Sequence, residues 1–276
     1  MSYTNFKPTV WAEIIDRELK KNLVFGMLAN RDFEGAIQNE GSSVKIASIS
    51  AVTVGDYTGA DINFSEDDGA TQTITIDKAK YFGLKMDDVD AAQAKGGIMD
   101  LRMQNAIYKM ADAIDTDLAK LYKKAKNKVV AKIGTDKISE KIIDLAVKMD
   151  EANVPTAGRW LVVSPEVYGQ LIKEVPTISQ GENTFGVQKT FFLGEWGGFQ
   201  IFKSNNVQFG TKKYHCMAGV TAGLTLAMQL SKIEAGRFEK SFAEFVKGLN
   251  LYGCDVLETE SGKTTLLTEF EVEQAA

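Results

Sequence analysis

Hydrophobic positions recur at helical spacing along one long stretch, through Ile98, Leu101, Met103, Ala106, Ile107, Met110, Ala111, Ile114, Leu118, Leu121, Tyr122 and Ala125. Such a period lines one face and predicts a single amphipathic helix of about 29 residues, roughly 43 Å long. Asp87, Asp88 and Asp90 precede it, while Lys120, Lys123, Lys124, Lys126 and Lys128 crowd its end, the polarity a helix dipole favours. Nearer the N-terminus, Trp11, Ile14, Ile15, Leu19 and Leu23 follow Pro8 and predict a short amphipathic helix over 10–22. Between Gly41 and Lys80 the period falls to two: Val44 and Ile46, then Val52 and Val54, then Ile74 and Ile76 alternate with small or polar residues around a polar middle at 55–69. This reads as a long two-stranded excursion, which needs another surface to lie on because an isolated hairpin is marginal in water.

Beyond Gly134 helices and strands alternate. The pattern predicts helices over 139–152 and 165–174, a buried strand over 160–163, a loop over 176–186, and strands over 199–203 and 214–218. The stretch 224–272 reads mostly as strands, least clearly over 238–246. The whole is a mixed α+β architecture. No repeat with a period of 20 to 50 residues is present, nor a Pro, Gly or Ser-rich linker, so any subdomains pack together.

Composition narrows the function. The chain has 276 residues, 44% hydrophobic and 25% charged, which fits a globular protein and excludes disordered or collagen-like classes. With 32 Lys plus Arg against 37 Asp plus Glu, its net charge of -5 gives little sequence-independent attraction to nucleic acid. One histidine and two cysteines cannot build the usual zinc or iron-sulfur clusters, so no cofactor is expected. The two cysteines imply folding in a reducing compartment, and residues 1–10 lack the apolar core of a signal peptide. The longest uncharged run, Tyr214 to Ser231, carries too many polar groups for a membrane-spanning helix, so no membrane association is expected.

Candidate catalytic motifs fail on inspection. His215 and Cys216 are neighbours in a predicted strand and point to opposite faces, so they cannot act as base and nucleophile in one pocket. Gly262-Lys263-Thr264 resembles the end of a phosphate loop but has Leu257 where the earlier glycine belongs. Gly96 and Gly97 lack the third glycine of a dinucleotide fingerprint. Asp87, Asp88 and Asp90 do not match a calcium loop and read more simply as helix-start carboxylates; a carboxylate-based enzyme site around them is the rival reading.

Charge segregation is more informative. From Ile46 to Asp77 there is no Lys or Arg but there are six carboxylates, Asp56, Asp61, Glu66, Asp67, Asp68 and Asp77. From Lys120 to Lys137 there are seven lysines and one acid, Asp136. These two regions read either as independently solvated surfaces or as an inter-subunit contact, with Asp56, Asp61, Glu66, Asp67 and Asp68 of one copy over Lys120, Lys123, Lys124, Lys126 and Lys128 of the next.

The element order, with several segments in sequence, resembles the major capsid proteins of tailed bacteriophages, the Hong Kong 97 type fold. The segments are Trp11-Ala12-Glu13-Ile14-Ile15, Asn30-Arg31-Asp32-Phe33-Glu34-Gly35, Lys80-Tyr81-Phe82-Gly83-Leu84 running into Asp87-Asp88-Val89-Asp90, Gly198-Phe199-Gln200-Ile201-Phe202-Lys203-Ser204-Asn205-Asn206, Ala218-Gly219-Val220, Lys232-Ile233-Glu234 with Arg237, and Val246-Lys247-Gly248 with Tyr252-Gly253.

The resemblance implies an N-arm over 1–35, an E-loop over 36–80, a P-domain with the spine helix over 81–133, an A-domain over 134–245 and closing P-domain strands over 246–276. It also implies a non-enzymatic protein that self-assembles into hexamers and pentamers of an icosahedral shell around double-stranded DNA, in the host cytoplasm and then in the virion. Its partners would be copies of itself, a portal and a scaffolding protein; the signature beginning by Trp11 points to a separate scaffold. Contact with packaged DNA should be weak and non-specific for an acidic chain. Some relatives cross-link an E-loop lysine to an asparagine of a neighbour, which the lysine-free stretch from Ile46 to Asp77 does not favour. An encapsulin-like compartment shell resembles the same fold and is the alternative.

Overall fold

The computed structural model describes residues 23–32, 43–47, 71–87, 98–175, 192–239, 241–259 and 264–274. The predicted helix over 10–22, the strand around Val52 and Val54, the acidic middle at 55–69 and the loop over 176–186 lie outside the described residues.

Two sheets and one long helix organise the chain. Helix α1 (Val24–Leu28) is followed by strands β1 (Ser43–Ala47), β2 (Thr71–Thr75) and β3 (Lys78–Asp87), then by α2 (Ile98–Ala119), which is the spine. The spine is 22 residues long rather than 29. Its last predicted turn is a 3-10 helix, Lys120–Lys124, after which Ala125 adopts an extended backbone and strand β4 (Asn127–Lys132) begins. The reason is a change of period: in β4, Val129 and Ala131 turn inward while their neighbours are exposed, a spacing of two that a helix cannot satisfy. Lys126 and Lys128 therefore do not sit on the helix end, which corrects that part of the charge-polarity expectation.

The remaining elements follow as α3 (Ile138–Glu151), β5 (Arg159–Val163), α4 (Pro165–Glu174), β6 (Phe192–Trp196), β7 (Phe199–Lys203), β8 (Gln208–Gly210), β9 (Lys213–Val220), a 3-10 turn, β10 (Leu224–Arg237), β11 (Ala243–Val256), β12 (Glu258–Thr259), β13 (Thr264–Thr265) and β14 (Leu267–Glu273). The predicted helices over 139–152 and 165–174 and the strands at 160–163, 199–203 and 214–218 are all present. Strands β3, β4, β6 and β8 carry no such prediction.

The first sheet is antiparallel, β10-β11-β3. Spine residues Met103, Ile107, Met110, Ala111, Ile114 and Leu118 are buried in the same core as Phe82, Val246 and Tyr252 of this sheet. The second sheet is mixed, in the order β4-β14-β9-β5-β7-β6 with β8 paired to β9, and α3 and α4 pack beside it. Strands β1 and β2 pair antiparallel from Ser43↔Thr75 to Ala47↔Thr71, joining the two ends of the predicted excursion. Its base crosses β11: a side chain at Gly253 would come within 2.5 Å of the Thr75 carbonyl oxygen, so only glycine permits this approach.

Helix α4 starts where the sequence says it should, with Pro165 in its first turn and Ser164 Oγ accepting the Val167 N–H at 3.3 Å. Helix α3 has no side-chain cap of its own. Instead Glu174, at the end of α4, accepts the N–H groups of Ile138 (3.0 Å) and Ser139 (2.8 Å). Replacing Glu174 with Ala should cost about 1 to 2 kcal/mol of stability, the usual range for a lost cap; a midpoint shift in chemical denaturation measures it, and no shift would mean that water satisfies those groups equally well.

Candidate functional site

Among the described residues, the catalytic motifs set aside above do not come together. Cys216 is fully buried and its thiol is pushed up to about 12 by burial, which makes it unreactive. His215 points to the other face of β9, as the strand period requires. Asp87, the one described member of the Asp87, Asp88 and Asp90 group, lies 3.3 Å from Lys85 on its own strand. Asp88, Asp90, Gly96, Gly97, Gly262 and Lys263 lie outside the described residues.

The acidic half of the charge pairing, Asp56, Asp61, Glu66, Asp67 and Asp68, also lies outside the described residues. On the basic half, four of the five lysines meet carboxylates of their own chain. Lys120 pairs with Asp117 at 2.8 Å, Lys124 with Asp255 at 2.6 Å, Lys126 with Glu258 at 3.3 Å, and Lys128 with Glu271 and, at 3.7 Å, Glu269. Lys123 is exposed on the 3-10 helix. The Lys120, Lys124 and Lys126 pairs, with ammonium groups more than a third exposed, contribute at most about 1 kcal/mol each and leave those groups open to further acidic neighbours, whereas the Glu271 partner of Lys128 is buried.

Three arrangements escaped the sequence. The first is a buried hub. Asp115, 2% exposed in the last third of the spine, accepts the Phe25 N–H at 2.8 Å and the Asn206 amide at 3.0 Å. It ties together α1, the spine and the connection between β7 and β8. Burial pushes its carboxyl up to about 6, against the pull of the Asn206, Phe25 and Gly26 donors, with Asp112 adding to the rise.

The second is a charge ladder on the mixed sheet. Strands β9 and β14 run antiparallel with His215 opposite Glu271 and Lys213 opposite Glu273, while β4 places Lys128 opposite Glu269. Lys213 reaches Glu271 at 2.8 Å and Glu273 at 2.7 Å, and these carboxylates hold its ammonium well above the usual range. Burial raises the Glu271 carboxyl, but hydrogen bonds from Lys128 and Lys213 outweigh it and the net shift is downward.

The third is an outward aromatic face on the three-stranded sheet. Tyr81 is 83% exposed on β3, and Phe242 is 82% exposed at the turn between β10 and β11. A groove of about 300 Å³, mostly apolar, runs between Tyr81, Phe82, Leu249 and Gly248, with the Lys247–Glu234 ion pair (2.6 Å) along it. Tyr81 borders this groove and Phe242 lies farther along at the turn; an exposed ring beside an apolar groove marks a surface suited to contact. No helix among the described residues is long and apolar enough to cross a membrane.

Comparison with known proteins fits this geometry. A family model described as phage capsid protein matches residues 69–244. A solved structure from Mycobacterium phage Che8 is 24% identical, with a TM-score of 0.70 over 90% of each chain. The capsid of Ralstonia phage GP4 is 10% identical, with a TM-score of 0.69 over 90% of this chain and 87% of that one. A virus-like particle from Pyrococcus furiosus is 11% identical, with a TM-score of 0.58 over 95% of this chain and 98% of that one. A comparison with curated proteins yields no match.

Proposed function

The chain belongs to the phage capsid protein family, and on that premise we propose that it forms the hexamers and pentamers of an icosahedral shell enclosing double-stranded DNA. The observation that carries this reading is the exposed Tyr81 ring beside the apolar groove on the three-stranded sheet, with the Phe242 ring exposed at the turn farther along. A second copy is the natural occupant, because the groove's apolar floor and its single ion pair match the composition of a protein interface. A separate scaffolding protein and a portal protein complete the proposed set of partners, with assembly in the host cytoplasm and no catalytic step. Co-expression with a scaffolding protein and a portal should yield closed particles, and adding a DNA-packaging motor should fill them with double-stranded DNA protected from nuclease. Particles that stay free of DNA even with that motor supplied would instead favour a compartment shell, the reading suggested by the likeness to the Pyrococcus furiosus virus-like particle.

The proposed N-arm, E-loop, P-domain and A-domain divisions keep the boundaries set out above. Strands 78–87, 224–237 and 243–256 form one ladder, so the P-domain and A-domain segments share a continuous sheet. The E-loop of one copy would lay Asp56, Asp61, Glu66, Asp67 and Asp68 across the neighbour's lysine cluster, where Lys123 is exposed and Lys120, Lys124, Lys126 and Lys128 hold their own carboxylates. Changing Asp67 and Asp68 together to Lys should slow assembly about tenfold or more at low salt and much less at high salt, because steering charges act on encounter and are screened. Light scattering follows the rate; equal rates at low salt would remove the charge contact from the account.

A further inference from the structure

Two buried carboxylates and the one histidine of the chain converge on the mixed sheet by register alone. His215 of β9 stands opposite Glu271 of β14, and Glu269, two residues away, shares the face. His215 Nδ1 lies 2.6 Å from Glu269 Oε1 and 3.9 Å from Glu271 Oε2, and one donor atom from each of the three residues falls within 4.8 Å of the others. Tyr122 fixes the imidazole plane by stacking on it at 4.2 Å and 11°. Glu269 and Glu271 are 8% and 3% exposed, so these are not the solvated surface acids common on any protein.

One nitrogen and two carboxylate oxygens form a donor set for a borderline divalent cation, with a fourth position left to water. At bond lengths of about 2.0 to 2.2 Å, donors around a tetrahedral ion stand about 3.3 to 3.6 Å apart. The spacings here bracket that value, so side-chain rotation without backbone movement closes the site. Lys128 and Lys213 both reach Glu271, and together they carry the charge of one divalent ion. Both ammonium groups are partly exposed on flexible stems and can withdraw into water.

We propose that His215, Glu269 and Glu271 form a binding site for a divalent transition-metal cation, Zn²⁺ or Co²⁺, which takes the place of the Lys128 and Lys213 ammonium groups and clamps β9 to β14. The site lies within one chain and does not depend on assembly.

Titration calorimetry of the full-length, unassembled chain with zinc chloride should show one saturable site per chain. His215→Ala should weaken it at least about tenfold, a loss of about 1.4 kcal/mol. Lys213→Ala should tighten it several-fold, because it removes a competing charge; a purely structural ladder predicts no saturable binding in either protein, and in the variant only the loss of an ion pair. Where His215→Ala fails to fold, His215→Asn takes its place, and the visible absorption of added Co²⁺ reports coordination directly. Absence of saturable binding, binding indifferent to both His215 variants, or unchanged affinity in Lys213→Ala would each overturn the proposal.

Discussion

Replacing Asp115 with Ala is expected to lower the unfolding free energy of the unassembled chain by about 2 to 4 kcal/mol at neutral pH. The substitution removes the acceptor of the Phe25 N–H and of the Asn206 amide, leaving the first donor buried and the second half-buried. The carboxylate costs something to bury, which keeps the estimate below the sum of the lost hydrogen bonds. Its titration separates the two effects. The native carboxyl is raised from 3.8 to about 6, so the folded state binds the proton more tightly than the unfolded state. The resulting stabilisation is fully present below pH 3.8 and is lost as pH rises through about 6. Between pH 7.5 and pH 5 the wild-type chain should therefore gain about 1 kcal/mol relative to Asp115→Asn, which cannot titrate. Denaturant midpoints of the two proteins at both pH values measure this difference; a constant gap across the range would contradict the buried hub.

Replacing Tyr81 and Phe242 together with Ser is expected to abolish assembly without unfolding the chain. Both rings are more than four-fifths exposed, so each change should alter monomer stability by no more than about 0.5 kcal/mol. Aromatic anchors at interfaces are worth about 2 kcal/mol or more, and each 1.4 kcal/mol is a factor of about ten in concentration. The pair should thus raise the threshold for assembly by about a thousandfold, while circular dichroism and the denaturation midpoint stay as in wild type. Shells forming at the wild-type threshold would show that this face is idle.

What the sequence revealed and what it hid divide along physical lines. Helix α4 was legible to the residue, because Ser164 and Pro165 punctuate its start and its apolar spacing is strong. The spine was legible in its body but not at its end, where lysines suit a helix terminus and a half-exposed strand alike and only packing against β14 decides. Strand β3 carries Lys78, Lys80, Lys85 and Gly83 and shows no clear alternation; it is a strand because β11 pairs with it along its whole length. The sites were hidden for the same reason. His215 and Glu269 are 54 residues apart, Asp115 and Phe25 are 90 apart, and Glu174 caps a helix that begins 36 residues earlier. Local pattern says which residues form a strand, and only the fold says which strands are neighbours.

Sedimentation velocity with negative-stain microscopy on the purified chain, alone and with co-expressed scaffolding protein, across concentration and salt, tests the central claim most directly. Closed shells, or discrete pentamers and hexamers, are the predicted result. A compact monomer that persists with scaffold at every concentration and salt would contradict it.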